Sequence, residues 1–115
     1  FDYLNKHTVD LEQMFSIMIS IVSGIEHLHT EVFGTQGKPS IAHRDIKSKN
    51  ILMSSHRSCC IADFGLAVTP KQTTDSCNIA FNYRVGTKRY MPPEILRNDI
   101  QAVQLNFPSY CMADM

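Results

Sequence analysis

The chain has 115 residues, with 11 acidic and 11 basic side chains and a net charge of zero. Its apolar content of 43% and charged content of 19% suit a folded globular core and exclude an intrinsically disordered chain. The neutral, evenly mixed charge gives no indication of binding to nucleic acid or to an anionic membrane.

The first predicted elements are helical. Residues 1–6 are typical of the end of a short helix, and Asp10 can cap a second helix over 11–30, with Gln13 at the reciprocal capping-box position. Apolar residues recur in that helix mostly at spacings of three and four, namely Leu11, Met14, Met18, Ile21, Val22, Ile25 and Leu28. We interpret this stripe as core packing. The longest uncharged stretch in this helix is too short to predict a membrane span, which needs about 20 apolar residues.

A small hairpin is predicted next, after a polar loop at 34–39. Apolar runs at 51–53 and 59–62 flank a polar turn, which is typical of two antiparallel strands. A tight hairpin brings its ends together, so Asp45 before it and Asp63 after it are expected to face one common site.

The second half of the chain is predicted to be mostly loop. Residues 69–83 and 98–109 lack a clear period, whereas Pro92-Pro93-Glu94 suits a helix start and 110–115 can open a further helix. We expect Thr73, Thr74 and Ser76 to be solvated. The four cysteines are predicted to be buried, reduced thiols, since no paired spacing indicates zinc: Cys59, Cys60, Cys77 and Cys111.

Three motifs in fixed order indicate phosphoryl-transfer chemistry: His43-Arg44-Asp45-Ile46-Lys47-Ser48-Lys49-Asn50, Asp63-Phe64-Gly65, and Pro92-Pro93-Glu94. Asp45 can orient a hydroxyl and accept its proton, and Lys47 can neutralise charge on the phosphoryl group. Asn50 and Asp63 offer the hard oxygen ligands that Mg²⁺ prefers.

With these motifs the chain resembles the catalytic domain of eukaryotic protein kinases, with Pro92 where the family has alanine. The resemblance implies an α+β fold class: a fragment of the mainly helical large lobe of a two-lobed kinase, with a small β-hairpin at the catalytic loop. Residues 1–115 would be a partial kinase domain that lacks the small lobe and the C-terminal helices. The chain begins with Phe1, so we expect an internal fragment.

The resemblance implies that Asp45 is the catalytic base and that Lys47 contacts the transferred phosphate, as in kinases specific for serine and threonine. Asn50 and Asp63 would bind Mg²⁺, or Mn²⁺ in its place, together with ATP. Leu52 would form the floor of the adenine pocket.

The same resemblance implies structural or substrate-positioning roles for other residues. His43 would pack with Phe64, Arg44 would pair with charge on the activation loop, and Gly65 would let the backbone turn sharply after the metal ligand.

Three residues further along complete the implied site. Thr87 would hydrogen-bond Asp45 and Lys47, Glu94 would form a buried ion pair with an arginine beyond this chain, and Asp114 would hold the backbone of the catalytic loop.

A narrower resemblance is to the type I receptors of the TGF-β superfamily. It rests on the segments 34–45, 48–52, 59–63 and 84–91. The segment 109–115 is most similar to the bone-morphogenetic-protein branch. Ile46 and Phe64 are more typical of type II receptors, but the longer match favours type I.

The implied parent is a receptor serine/threonine kinase that transfers the γ-phosphate of ATP to Smad-type proteins and is activated by a type II receptor. This chain would be the cytoplasmic portion of such a single-pass receptor. The alternatives are a pseudokinase or truncated decoy, a type II receptor, and a cytosolic kinase. The sequence has no glycine-rich phosphate loop, so we predict that the isolated fragment is inactive. We also expect its long helix to expose the surface that the missing helices would cover.

Overall fold

The computed structural model describes residues 2–54, 58–70, 85–96 and 106–115. Its helices and strands are α1 (Asp2–Lys6), α2 (Leu11–His29), β1 (Ile51–Met53), β2 (Cys59–Ile61), α3 (Pro93–Leu96) and α4 (Phe107–Ala113). Two short 3-10 helices are η1 (Ser48–Asn50) and η2 (Lys88–Tyr90). Helices with one small antiparallel sheet confirm the predicted α+β class. None of the helices in the described part is both long and apolar enough to cross a membrane.

Both ends of α2 have polar caps that explain where the helix begins and ends. The Asp10 side chain accepts the Gln13 N–H at 2.7 Å, as the predicted cap requires. At the other end, Lys38 Nζ donates to the carbonyl oxygens of Leu28 and Thr30 at 3.1 and 2.5 Å. These bonds satisfy carbonyl groups that have no partner inside a helix.

One face of α2 is exposed, so the interpretation of its stripe as core packing is wrong for several residues. The exposed fractions are 67% for Leu11, 40% for Met14, 51% for Met18 and 64% for Val22. The buried residue of this helix is Leu28. The opposite face packs on the hairpin, and little in the described part of the chain covers the exposed one.

The predicted hairpin is present, and it packs against α2. Ile51 pairs with Ile61, and Met53 pairs with Cys59, in an antiparallel register. Ser20 on α2 fixes the second strand because its hydroxyl donates to the Cys59 carbonyl at 3.0 Å and accepts the Cys59 N–H at 2.7 Å. These two hydrogen bonds fix the position of the hairpin along the axis of α2.

A small apolar core lies beneath the loop that follows residue 42. Its buried members are Ala42, Val68, Ile95 and Tyr110. Ala42 and Val68 exchange two backbone hydrogen bonds of 3.0 and 2.9 Å, which bring the chain after the hairpin back under the loop. The last two helices complete this core, α3 with Ile95 and α4 with Tyr110.

Two sequence expectations need correction. The last helix begins at Phe107 rather than at residue 110, because the Asn106 side chain accepts the Ser109 N–H at 3.0 Å and caps it. The free thiols of Cys59 and Cys111 are only partly covered, and that of Cys60 is exposed, so their predicted burial is wrong. The predicted loop positions Thr73, Thr74, Ser76 and Cys77 lie outside the described residues.

Candidate active site

A buried carboxylate directly after α4 fixes the loop that begins at His43. Asp114 is 5% exposed and accepts the backbone N–H of His43 at 2.6 Å and that of Arg44 at 2.7 Å. Nε2 of His29, at the end of α2, donates to the same carboxylate at 3.1 Å. Arg44 has a φ of 69°, which a residue other than glycine rarely adopts, so these bonds help to hold a strained backbone.

The ring of His43 is fully buried, with both nitrogens engaged. Nδ1 accepts the Asp45 N–H at 3.3 Å, so the proton lies on Nε2, which donates to the Ala62 carbonyl at 3.0 Å. The ring packs against Phe64 with centroids 5.2 Å apart. No ring nitrogen is left for a substrate or metal, so His43 links the loop to the segment after β2.

The carboxylate of Asp45 is held from two sides. Lys47 Nζ donates to its Oδ2 at 2.6 Å and to the Thr87 hydroxyl at 2.9 Å, while the Thr87 N–H donates to Oδ1 at 2.8 Å. Burial raises the pKa of Asp45, but the hydrogen bonds from Lys47 and Thr87 outweigh it, and the net pKa lies below its ordinary value. The group is therefore ionised at neutral pH and can orient a hydroxyl.

Asn50 and Asp63 carry oxygens suited to a metal ion. Asn50 is buried, and its amide nitrogen donates to the Asp45 carbonyl at 3.0 Å, which leaves its side-chain oxygen as an acceptor. Asp63 is exposed, and within the described residues its carboxylate makes no hydrogen bond. Two hard oxygens fit Mg²⁺ when the remaining ligands are phosphate oxygens and water. A cluster of three or more histidine, cysteine or acidic side chains is not found among the described residues.

The backbone after β2 has a strained residue followed by a turn. Asp63 has a φ of 71°, whereas Gly65 is not among the described residues with positive φ and lies within the turn that was expected there. A turn does close there, with the Ala67 N–H donating to the Phe64 carbonyl at 3.1 Å. A Cβ atom on Gly65 would meet Asp63 Oδ1 at 3.4 Å, an ordinary contact.

Leu52 lies on β1 and is 50% exposed. It borders an open cleft of about 480 Å³ together with Tyr3 and Lys49. An exposed leucine in a cleft of this size provides an apolar surface against which a planar ring can lie.

Arg44 lies over an aromatic ring of the core. Its guanidinium is 4.8 Å from the centroid of Tyr110, and burial lowers its pKa, an effect that Tyr110 and Asp114 partly oppose. The activation-loop charge expected to pair with Arg44 lies in residues 71–84, outside the described part. Glu94 lies exposed in the first turn of α3, and its expected arginine partner is not in this chain's described residues.

Sequence reasoning missed three residues that shape the site. Gly86 has a φ of 114°, and a Cβ atom there would lie 2.5 Å from the carbonyl oxygen of Arg44. The Tyr110 hydroxyl is buried without a hydrogen-bond partner in the described residues. His29 reaches Asp114 from α2. Of the three, only Gly86 could have been identified from the sequence, because it stands directly before the predicted site residue Thr87.

The sequence of the chain is similar to those of known proteins of one family. The sequence model of the protein kinase domain family matches residues 1–107. The chain is 55% identical over all 115 residues to TGF-beta receptor type-1 of Homo sapiens, and 54% identical over the same span to human activin receptor type-1B. Activin receptor type-1 of Gallus gallus is 56% identical over 89% of this chain.

The chain spans about a fifth of the length of these relatives, 22% of each human protein and 20% of the chicken one. The predicted resemblance to type I receptor kinases is confirmed. The bone-morphogenetic-protein branch and the individual site roles stay predictions. Because this family match covers all but its last eight residues, the chain belongs to the protein kinase family.

Proposed function

We propose that the protein carrying this chain is a receptor serine/threonine kinase that transfers the γ-phosphate of ATP to a protein hydroxyl. The observation that carries the proposal is the carboxylate of Asp45, held by Lys47 at 2.6 Å and by the Thr87 N–H at 2.8 Å. A fixed, ionised carboxylate aligns a hydroxyl and takes its proton as the hydroxyl oxygen bonds to the γ-phosphorus and the bond from that phosphorus to ADP breaks. Lys47, which joins that carboxylate to Thr87, is placed to offset charge on the phosphoryl group.

The nucleotide would lie against Leu52 in the cleft beside β1, with Asn50 and Asp63 holding Mg²⁺ on its phosphates. The ion would neutralise charge that develops on the phosphate oxygens. Asp114 acts at a distance from the substrate: through the N–H groups of His43 and Arg44 it fixes the loop that presents Asp45.

The names of the relatives, TGF-beta receptor type-1 and activin receptor type-1B, support a type I receptor. Smad-type substrates, a type II receptor as activator and a cytoplasmic location for this domain are proposed from the family resemblance. The intact set of Asp45, Lys47, Asn50 and Asp63 argues against a pseudokinase. The 115-residue piece alone is expected to be inactive, because its sequence has no glycine-rich phosphate loop.

The test is phosphoryl transfer from ATP to a serine peptide by the intact protein, compared between Asp45→Asn and Asp10→Asn. Both variants make the same chemical change. Asparagine caps a helix as well as aspartate does, so Asp10→Asn should keep full activity. Asp45→Asn should lose most turnover while it retains the fold. Wild-type turnover in Asp45→Asn would refute the proposed role.

A further inference from the structure

A second open cleft lies next to Lys47 and Thr87, the two residues that hold the Asp45 carboxylate. We call it the basic cleft; its volume is about 510 Å³ and it is lined by Lys47, Ser48, Lys49, Thr87, Arg89 and Tyr90. Its two walls are η1 and η2 with the residues before them. The hydroxyl groups of Ser48 and Tyr90 share a hydrogen bond of 3.0 Å, which joins the walls.

The basic cleft carries positive charge that the described part of the chain does not neutralise. Its lining has no aspartate or glutamate. Lys49 and Arg89 are exposed, as is the neighbouring Lys88, and none of their side chains makes a hydrogen bond or ion pair with a described residue. Lys47 differs, since its ammonium group is bound to Asp45 at 2.6 Å.

The basic cleft is continuous with the place where an acceptor hydroxyl would lie. Lys47 and Thr87 both line it, and both donate a hydrogen bond to Asp45. An extended chain advances about 3.3–3.6 Å per residue. When a substrate presents its hydroxyl to Asp45, a residue one or two positions away in the same substrate is therefore within reach of the basic cleft.

On the basis of the proposed kinase function, we propose that the basic cleft selects substrates with an anionic side chain close to the acceptor hydroxyl. Glutamate, aspartate and phosphoserine share the required chemistry, a negative oxygen group that can meet Arg89 and Lys49. Phosphoserine carries a charge of about −1.5 to −2 at pH 7 and has three acceptor oxygens. A guanidinium can bind such a group through two parallel hydrogen bonds.

The test uses the intact protein and serine peptides that differ at one position, from three residues before the acceptor to three after it. Each position carries glutamate, phosphoserine, glutamine or lysine in turn. At one or two adjacent positions, kcat/KM should be up to about fivefold higher with glutamate than with glutamine, the size expected for an exposed ion pair. The kcat/KM with phosphoserine should be at least as high as with glutamate, and that with lysine should be lower than with glutamine. The ratio of kcat/KM between glutamate and glutamine peptides should fall toward one at high salt.

Variants then assign the preference to the basic cleft. Arg89→Gln should move the glutamate-to-glutamine ratio of kcat/KM toward one, Arg89→Lys should keep it, and Arg89→Glu should favour lysine peptides. Lys6→Gln, which removes an exposed cation at the end of α1, is the matched control and should leave the ratio unchanged.

The results distinguish the kinase function from the substrate selectivity. If no peptide is phosphorylated, the proposed function fails and this inference falls with it. If all peptides are phosphorylated with the same kcat/KM, the kinase function stands and the selectivity is overturned. A glutamate preference that Arg89→Gln leaves unchanged would overturn the assignment to the basic cleft.

Discussion

Replacing Asp114 by asparagine should loosen the catalytic loop. The carboxylate accepts N–H groups at 2.6 and 2.7 Å from His43 and Arg44, and it is 5% exposed. A hydrogen bond to a charged group contributes about 1.5–3 kcal/mol. Asparagine keeps one acceptor oxygen but turns an NH₂ group toward the other N–H donor. The expected loss of local stability is therefore about 3 kcal/mol, that is, one charge-assisted bond plus an unfavourable donor pair.

Hydrogen exchange of the intact protein measures this loss directly. A local loss of about 3 kcal/mol corresponds to about 100-fold faster exchange of the His43 or Arg44 amide. Asp10→Asn is the control, because asparagine preserves the cap of α2 and should leave both amides protected. Unchanged exchange of both amides in Asp114→Asn would show that the carboxylate does not hold the loop.

Further predictions concern the backbone, the base and the metal ligand. Gly86→Ala should lower the free energy of unfolding by about 1–3 kcal/mol more than Gly34→Ala, because both have positive φ but only Gly86 meets a backbone oxygen at 2.5 Å; equal midpoints in urea would contradict this. Lys47→Met should raise the pKa of Asp45 in a carboxyl NMR titration, since burial then acts with less opposition. In the wild type the folded pKa of Asp45 is lowered, so its stabilisation is present above the unfolded value of about 3.9 and is lost as the pH falls through the folded pKa. Asp63→Ala should weaken the Mg²⁺ dependence of nucleotide binding, and an unchanged metal titration would count against its role.

The local elements were predictable because their signals are local. Asp10 caps α2 and the apolar runs at 51–53 and 59–61 pair as a hairpin, since both depend on residues close in sequence. The fixed gaps of the kinase motifs identified the loop residues for the same reason.

What depends on distant contacts was not predictable. The stripe of α2, with Val22 at 64% exposure, has the periodicity of a core face, and periodicity does not say what covers it; its exposure was expected only from the kinase resemblance. His29 reaches Asp114 across 85 positions of sequence. The left-handed conformation of Asp63 was missed because a neighbouring glycine, Gly65, is the residue that ordinarily adopts it.

In the proposed reaction Asp45, held by Lys47 and Thr87, takes the proton from the acceptor hydroxyl. Single-turnover transfer of the γ-phosphate by the intact protein, with Asp45→Asn beside Asp10→Asn, tests it most directly. We expect the rate to fall by about 10²–10⁴-fold for Asp45→Asn, the usual contribution of a positioned base, and to stay the same for Asp10→Asn. Equal single-turnover rates in the two variants would contradict it.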